Sequence, residues 1–151
     1  MLVTWGAIGW LPDIRGWAQV VAGLLRPGGR MLLVEGHPTA YVFDDESASP
    51  DGMPGFFVPY FNPAPLPADE ADYANREAVL VHSRTYTWLH PLGAVASALV
   101  GAGLGLVRLQ EHDAVPWQML HRLVLDRDGL WRWPDQPWLP LSYSLVAERR
   151  R

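Results

Sequence analysis

A carboxylate and an imidazole stand two residues apart in Glu35-Gly36-His37, at the end of an apolar run. Residues two apart in an extended strand share one face, so both side chains are expected to reach one site. Such a pair can accept a proton from a reacting group, and His90 is a third candidate base. A metal pair is less well supported, because no third ligand has suitable spacing, and no metal site is predicted. The simpler alternative for each residue is a hydrogen-bonded polar group at the end of a strand.

Apolar periodicity predicts the elements that position these residues. Residues 2–5 and 30–35 form apolar runs, and the second run fits a strand buried on both faces. Between them, apolar residues at helical spacing predict a helix with Pro12 and Asp13 in its first turn. Pro27-Gly28-Gly29 ends this helix. The order strand, helix, strand predicts a parallel βαβ unit.

The rest of the chain alternates between irregular and periodic segments. Residues 37–80 are proline-rich and are predicted to form a cap or insertion over the active edge of the sheet. Residues 78–88 look extended, a helix is predicted from Pro91 to the glycines at 101–103, and strands are predicted at 105–111 and 141–147. A loop rich in Trp and Pro is predicted over residues 115–140, and Glu111-His112-Asp113 is expected to be an exposed turn.

Composition limits the class of protein. A chain of 151 residues with 49% hydrophobic content is expected to form a single domain with residues 1–151 in one unit. A net charge of −4 without a basic patch argues against a nucleic-acid partner. The chain has 0 cysteines and no long uncharged apolar run, so we expect a cytoplasmic chain without a membrane partner.

Several motifs, in order along the chain, resemble the C-terminal part of the class I S-adenosylmethionine-dependent methyltransferases. The stretch LVTWGAIGWLP at 2–12 resembles the strand and loop that follow the family's ribose-binding region. LRPGGR at 25–30, before an apolar strand, resembles a sequence that is widespread in the family. EGHP at 35–38, YTWLHPL at 86–92 and AGL at 102–104 resemble one small bacterial branch. The resemblance covers nearly the whole chain.

The resemblance implies an incomplete Rossmann-like α/β methyltransferase sheet. Only the last four core strands are expected, with the last strand antiparallel and a hairpin-like extension near residues 78–88. The family's first strand, glycine-rich loop and ribose-binding acidic residue have no counterpart. Gly101-x-Gly103-x-Gly105 is no substitute, because it follows a helix and precedes a strand.

The resemblance also implies a function, methyl transfer from S-adenosylmethionine to a small molecule. Because the glycine loop is missing, we expect weak or absent cofactor binding by this chain alone. The strand at Leu2–Thr4 is expected to leave an open sheet edge that favours self-association. The alternative is a non-catalytic chain, either a truncated fragment or a subunit that associates with another chain to complete the sheet.

Candidate cofactor contacts follow from the same resemblance. The residues expected to border the methionine and sulfonium side of the cofactor are Thr4, Trp5, Gly6, Ala7 and Ile8, with Trp10 nearby. An equally good explanation of the two tryptophans is that they are core indoles.

Candidate catalytic and substrate residues complete the site. Methyl transfer needs a base only if the acceptor must lose a proton, and this gives Glu35, His37 and His90 their candidate catalytic role. Tyr60, Tyr86 and Trp88 are candidates for the lining of an acceptor pocket, although aromatic residues in such positions are more often structural.

Overall fold

The computed structural model describes residues 1–69 and 81–150, which form a mixed α/β fold. Short 3₁₀ turns occupy Ile8–Trp10 and Ala40–Val42. Within the described ranges, neither helix has the length and apolar content needed to cross a bilayer. The strands and helices in chain order are β1 (Leu2–Thr4), α1 (Ile14–Leu24), β2 (Arg30–Gly36), β3 (Phe43–Asp44), β4 (Gly55–Phe56), β5 (Leu66–Asp69), β6 (Arg84–Thr87), α2 (Leu92–Gly101), β7 (Leu104–His112), β8 (Ala114–Val115), β9 (Val124–Leu125), β10 (Trp131–Arg132) and β11 (Ser142–Arg149).

The main sheet has four strands in the order β1-β2-β11-β7. β1 and β2 are parallel, and α1 connects them, as the apolar pattern predicts. β11 runs antiparallel to both β2 and β7, so the expected antiparallel last strand is present. β1 pairs only with β2 among the described strands, so β1 is an edge strand and its other side is open.

Helix α1 begins with a side-chain cap. The Asp13 Oδ1 atom accepts hydrogen bonds from the backbone N–H groups of Arg15 and Gly16, both at 3.0 Å. Asp13 is therefore the N-cap residue, one position before the first turn in which the sequence analysis placed it.

The C-terminal strand closes the other end of this helix. The Arg149 Nη1 atom donates hydrogen bonds to the carbonyl oxygens of Ala22, at 3.0 Å, and Leu25, at 2.6 Å. The Arg149 backbone also exchanges hydrogen bonds with Gly28 and Gly29. These contacts satisfy carbonyl groups that the end of α1 leaves without intrahelical partners.

The core lies on one face of the main sheet. Val21 from α1 and Leu99 from α2 pack in one cluster with Met31 and Leu33 from β2. Met31 and Leu33 are each 0% exposed, whereas Leu32 between them is 38% exposed. The prediction of a strand buried on both faces is therefore wrong, because α1 and α2 cover only one side.

Small sheets occupy the segments predicted to be irregular. The loop predicted at 115–140 contains most of a three-stranded antiparallel sheet of β8, β10 and β9. In the segment predicted to be a cap, β3 pairs with β4, and β5 pairs with β6, which follows that segment. The predicted extended segment at 78–88 is confirmed over β6, whereas its part at 78–80 and the cap residues 70–80 lie outside the described residues.

Because one face of the main sheet is covered and the other is exposed, truncating neighbouring side chains on β2 should lower the free energy of unfolding by different amounts. Leu33→Ala should lower the free energy of unfolding by about 2–5 kcal/mol, because it opens a cavity in the core. Leu32→Ala removes the same atoms from an uncovered face and should cost less than about 1 kcal/mol. Urea unfolding at low protein concentration measures both, and equal costs would show that both faces are covered in solution.

Candidate functional site

A cavity of about 420 Å³ lies beside the carboxyl ends of β1 and β2. Ligands of open α/β sheets bind at this edge. The loop after β1 contributes Gly6, Ile8 and Trp10, and the end of β2 contributes Glu35 and Gly36. The described part of the segment predicted to be a cap contributes Pro38, Tyr41 and Phe57 to the lining. That the whole of residues 37–80 forms a cap stays a prediction.

Glu35 connects the two elements that carry the cavity floor. Its side chain is buried, and its Oε1 atom accepts hydrogen bonds from the backbone N–H groups of Gly6, at 2.5 Å, and Gly36, at 3.0 Å. Its Oε2 atom has no hydrogen-bond partner among the described residues. Gly6 has φ +78, a conformation that glycine adopts without steric cost. Glu35 therefore fixes the loop after β1 through Oε1, while its Oε2 atom makes no hydrogen bond with the described residues.

Trp5 precedes this loop and is itself strained. Its φ is +24, a sparsely populated value for a residue with a Cβ atom. The indole packs edge-to-face on Trp117, with ring centroids 5.2 Å apart, and it does not line the main cavity. The strained backbone is held between this aromatic contact and the Glu35–Gly6 hydrogen bond.

Two tyrosines that the sequence analysis missed surround Glu35. Tyr143 on β11 is the cross-strand partner of Glu35, and Tyr41 packs so closely over Gly36 that a Cβ atom there would lie 2.6 Å from its hydroxyl oxygen. Burial, and then the charge of Glu35, raises the pKa of Tyr41 to about 12 and raises the pKa of Tyr143 still further above its usual range. Both phenols therefore stay protonated at neutral pH. The sheet register brings Tyr143 to Glu35, whereas the 3₁₀ turn after β2 carries Tyr41.

His37 is buried beside the cavity but does not line it. The backbone N–H of Thr39 donates to His37 Nδ1 at 3.2 Å, and His37 Nε2 lies 2.9 Å from Glu111 Oε1. This second contact is close but poorly directed, since Nε2 makes no regular hydrogen bond. Burial lowers the pKa of His37, and Glu111 opposes that shift. The structure thus does not bring Glu35 and His37 to the same cavity, and His37 has the hydrogen-bonded strand-end role.

The Glu111-His112-Asp113 triplet is not the exposed turn that was predicted. Glu111 and His112 belong to β7, and His112 Nε2 lies 2.9 Å from Ser144 Oγ on the neighbouring strand. Asp113 follows β7, and its carboxylate lies 3.7 Å from the guanidinium of Arg132. Strand pairing therefore extends further than the sequence pattern indicates.

His90 lines the cavity, as a candidate base must. Its Nε2 atom lies 2.8 Å from the carbonyl oxygen of Leu11, and because a carbonyl can only accept, Nε2 carries a proton. In neutral His90 the remaining acceptor is Nδ1. His90 also fixes the loop before α1 to the segment before α2.

Of the three aromatic residues predicted to line an acceptor pocket, the structure brings only Trp88 to the cavity. Tyr86 is 49% exposed on β6 and does not line it. The Tyr60 hydroxyl accepts a hydrogen bond from the backbone N–H of Leu92 at 3.0 Å, so Tyr60 caps the start of α2.

Only some of the residues predicted to contact the cofactor line the cavity. Gly6, Ile8 and Trp10 line the cavity, whereas Thr4 and Ala7 do not. Ile8 is buried in the main core, and Trp10 is 45% exposed. The alternative reading of Trp10 as a core indole is therefore wrong.

Comparisons with solved structures identify the fold. A methyltransferase from Mesorhizobium loti, dependent on S-adenosylmethionine, is 15% identical with a TM-score of 0.56, and the match covers 98% of this chain and 61% of that one. A Listeria monocytogenes protein assigned to the same class is 14% identical with a TM-score of 0.60, and the match covers 99% of this chain and 61% of that one. No protein-family model matches the sequence, and no curated protein matches it.

The chain therefore shares the fold of the matched part of these S-adenosylmethionine-dependent methyltransferase structures, as the resemblance in its motifs predicts. It spans about three-fifths of the length of the two solved proteins (61% in each). Its four-stranded sheet with an antiparallel last strand agrees with the C-terminal part of that fold.

The buried His37 predicts a loss of stability in acid. Because its pKa is lower in the folded chain than the ordinary value of 6.5, the unfolded chain binds more protons as the pH falls through 6.5. The free energy of unfolding should therefore fall from pH 7 downward until His37 is protonated in the folded state as well. In an NMR titration the His37 ring should titrate below pH 6.5.

His37→Gln should flatten this pH dependence, and the same change at exposed His82 is the matched control. A His37 ring that titrates at or above pH 6.5 would contradict the prediction.

Proposed function

We propose that this chain provides part of the catalytic domain of an S-adenosylmethionine-dependent methyltransferase that acts on a small molecule. The observation that carries the proposal is the cavity at the carboxyl ends of β1 and β2, in a chain with a methyltransferase fold. A volume of about 420 Å³ is in the range of small-molecule sites. A cytoplasmic location, expected from the absence of cysteine, stays a prediction.

The described residues fit one part of S-adenosylmethionine. Trp10 and the carboxylate of Glu35 offer an aromatic face and a negative charge, which suit a sulfonium cation. The rest of the cofactor needs a glycine-rich loop before a helix and an acidic residue for the ribose hydroxyls. The described residues include no such pair, so adenosine recognition would need a further segment of polypeptide.

In the methyl-transfer reaction, S-adenosylmethionine would supply an already activated methyl group. The residues of this chain would then hold the acceptor in line and exclude water. Glu35 and His90 line the cavity and are the two candidate groups for accepting a proton there, whereas His37 is not placed to do so. The protonated phenols of Tyr41 and Tyr143 would act as neutral hydrogen-bond donors.

Titration with S-adenosylmethionine tests the proposal. We expect calorimetry on the isolated chain to give no dissociation constant near about 1 μM, which corresponds to roughly −8 kcal/mol. At much higher cofactor concentration, NMR shift changes should be confined to the loop that carries Gly6, Ile8 and Trp10.

Two results would contradict different parts of this proposal. Shift changes at the amides of β9 instead of the loop would argue against a methyltransferase site at this cavity. Micromolar binding would instead show that these residues form a complete cofactor site. The amides of β9, which do not line the cavity, provide the internal control.

The second candidate function is that of a non-catalytic chain that associates through its open sheet edge. The favouring observation is β1, which has no partner on one side among the described strands and whose Leu2 is 66% exposed. Leu32 continues this apolar surface on the uncovered face of β2. An unprotected strand edge with apolar side chains favours pairing with another chain.

A lysine on this edge should separate the associated chains. We expect the wild-type chain to form dimers or larger species in sedimentation velocity, and Leu2→Lys to shift them towards monomers, since an edge lysine opposes strand pairing. Leu24→Lys is the matched control, because Leu24 is 69% exposed on α1, away from the edge. A wild-type chain that stays monomeric as its concentration rises would refute association through β1.

A further inference from the structure

The charge in the walls of the cavity has one sign. Glu35 and Asp44 line it, and among the described lining residues there is no lysine or arginine. The Asp44 Oδ1 atom accepts a hydrogen bond from the backbone N–H of Ser47 at 3.0 Å, and the Glu35 Oε2 atom has no hydrogen-bond partner in the part of the chain that the structure describes. A carboxylate oxygen in a buried position without a hydrogen bond is costly, so a bound donor or cation would stabilise it.

Aromatic rings make up much of the remaining wall. Phe43 is held in place by stacking on Phe56, with centroids 5.2 Å apart. The face of an aromatic ring attracts organic cations, and a pocket that combines several rings with a carboxylate is a recognised arrangement for ammonium groups. The aromatic lining residues are Trp10, Tyr41, Phe43, Phe57, Trp88 and Tyr143.

We propose that this cavity binds a small organic cation, namely a protonated amine that carries an aromatic or branched apolar group. The ammonium group would lie against Glu35, and the apolar group would lie against the rings of the cap. A carboxylate or phosphate ligand would instead meet two carboxylates without a compensating cation among the described lining residues. The inference rests on the proposed function in one respect, because it takes the cavity as the place of the methyl acceptor.

Three probes of nearly equal shape separate charge from shape. 2-Phenylethylamine, 2-phenylethanol and 3-phenylpropionate share a phenylethyl group and differ in carrying a positive, a neutral or a negative end. Calorimetry and NMR on the full 151-residue chain at pH 7.5, without S-adenosylmethionine, measure their binding. We expect the amine to bind about tenfold more tightly than the alcohol, and the propionate to bind most weakly.

Glu35→Gln tests the named group without disturbing the loop. A glutamine Oε1 atom can still accept from Gly6 and Gly36, whereas the uncommitted Oε2 atom is replaced by a neutral amide group. Amine affinity should fall about tenfold and alcohol affinity should stay the same. Glu46→Gln, at an exposed position outside the cavity, is the control and should change neither.

Several results would overturn the inference. They are the absence of amine binding, equal binding of amine and alcohol, or tighter binding of 3-phenylpropionate than of the amine. Circular dichroism checks whether Glu35→Gln folds. If it does not fold, the wild-type probe series and the Asp44→Asn variant still test the inference. Asp44→Asn should lower the affinity for the amine and leave the affinity for the alcohol unchanged. Because no probe needs the cofactor, the two proposals fail separately. Equal binding of amine and alcohol would refute this inference and leave the proposed methyl transfer intact, whereas amine selectivity together with cofactor-induced shifts outside the loop would refute the proposed methyl transfer alone.

Discussion

The carboxylate of Glu35 is the contact on which the site depends. A single buried oxygen accepts hydrogen bonds from the amides of Gly6 and Gly36, and so joins the loop after β1 to the end of β2. The cavity floor exists because these two elements are held together. Burial, and then the charge of the same carboxylate, raises the pKa of the two neighbouring tyrosines, so Glu35 contributes to both the shape of the floor and the protonation of its phenols.

The longer helices and strands could be predicted because their apolar periodicity extends over enough residues to be detected. α1 has apolar residues at helical spacing over 11 residues, and β11 alternates over 8 residues. The strands β3, β4, β8, β9 and β10 were not predicted, because each has 2 residues and no periodicity can be detected over that length. Their pairing is decided by tertiary packing rather than by local preference.

Part of the candidate site could be predicted from the sequence, because some of its residues lie next to elements with a clear pattern. Glu35 and His90 were recognisable as polar residues next to predicted elements, and both line the cavity. The misplacement of His37 arose from a local rule, since alternation along the strand cannot show that its ring turns towards Glu111 on β7. Tyr143 was missed because only the pairing register between β11 and β2 brings it beside Glu35.

The position of β11 has a consequence for how the chain acquires its structure. This strand is the last of the main sheet in sequence, yet it lies between β2 and β7 and carries the Arg149 contacts to the end of α1. During synthesis, β2 and β7 can have no neighbour between them until β11 has left the ribosome. Sheet closure therefore depends on contacts between distant parts of the sequence, which form slowly and leave apolar strand edges exposed in the nascent chain.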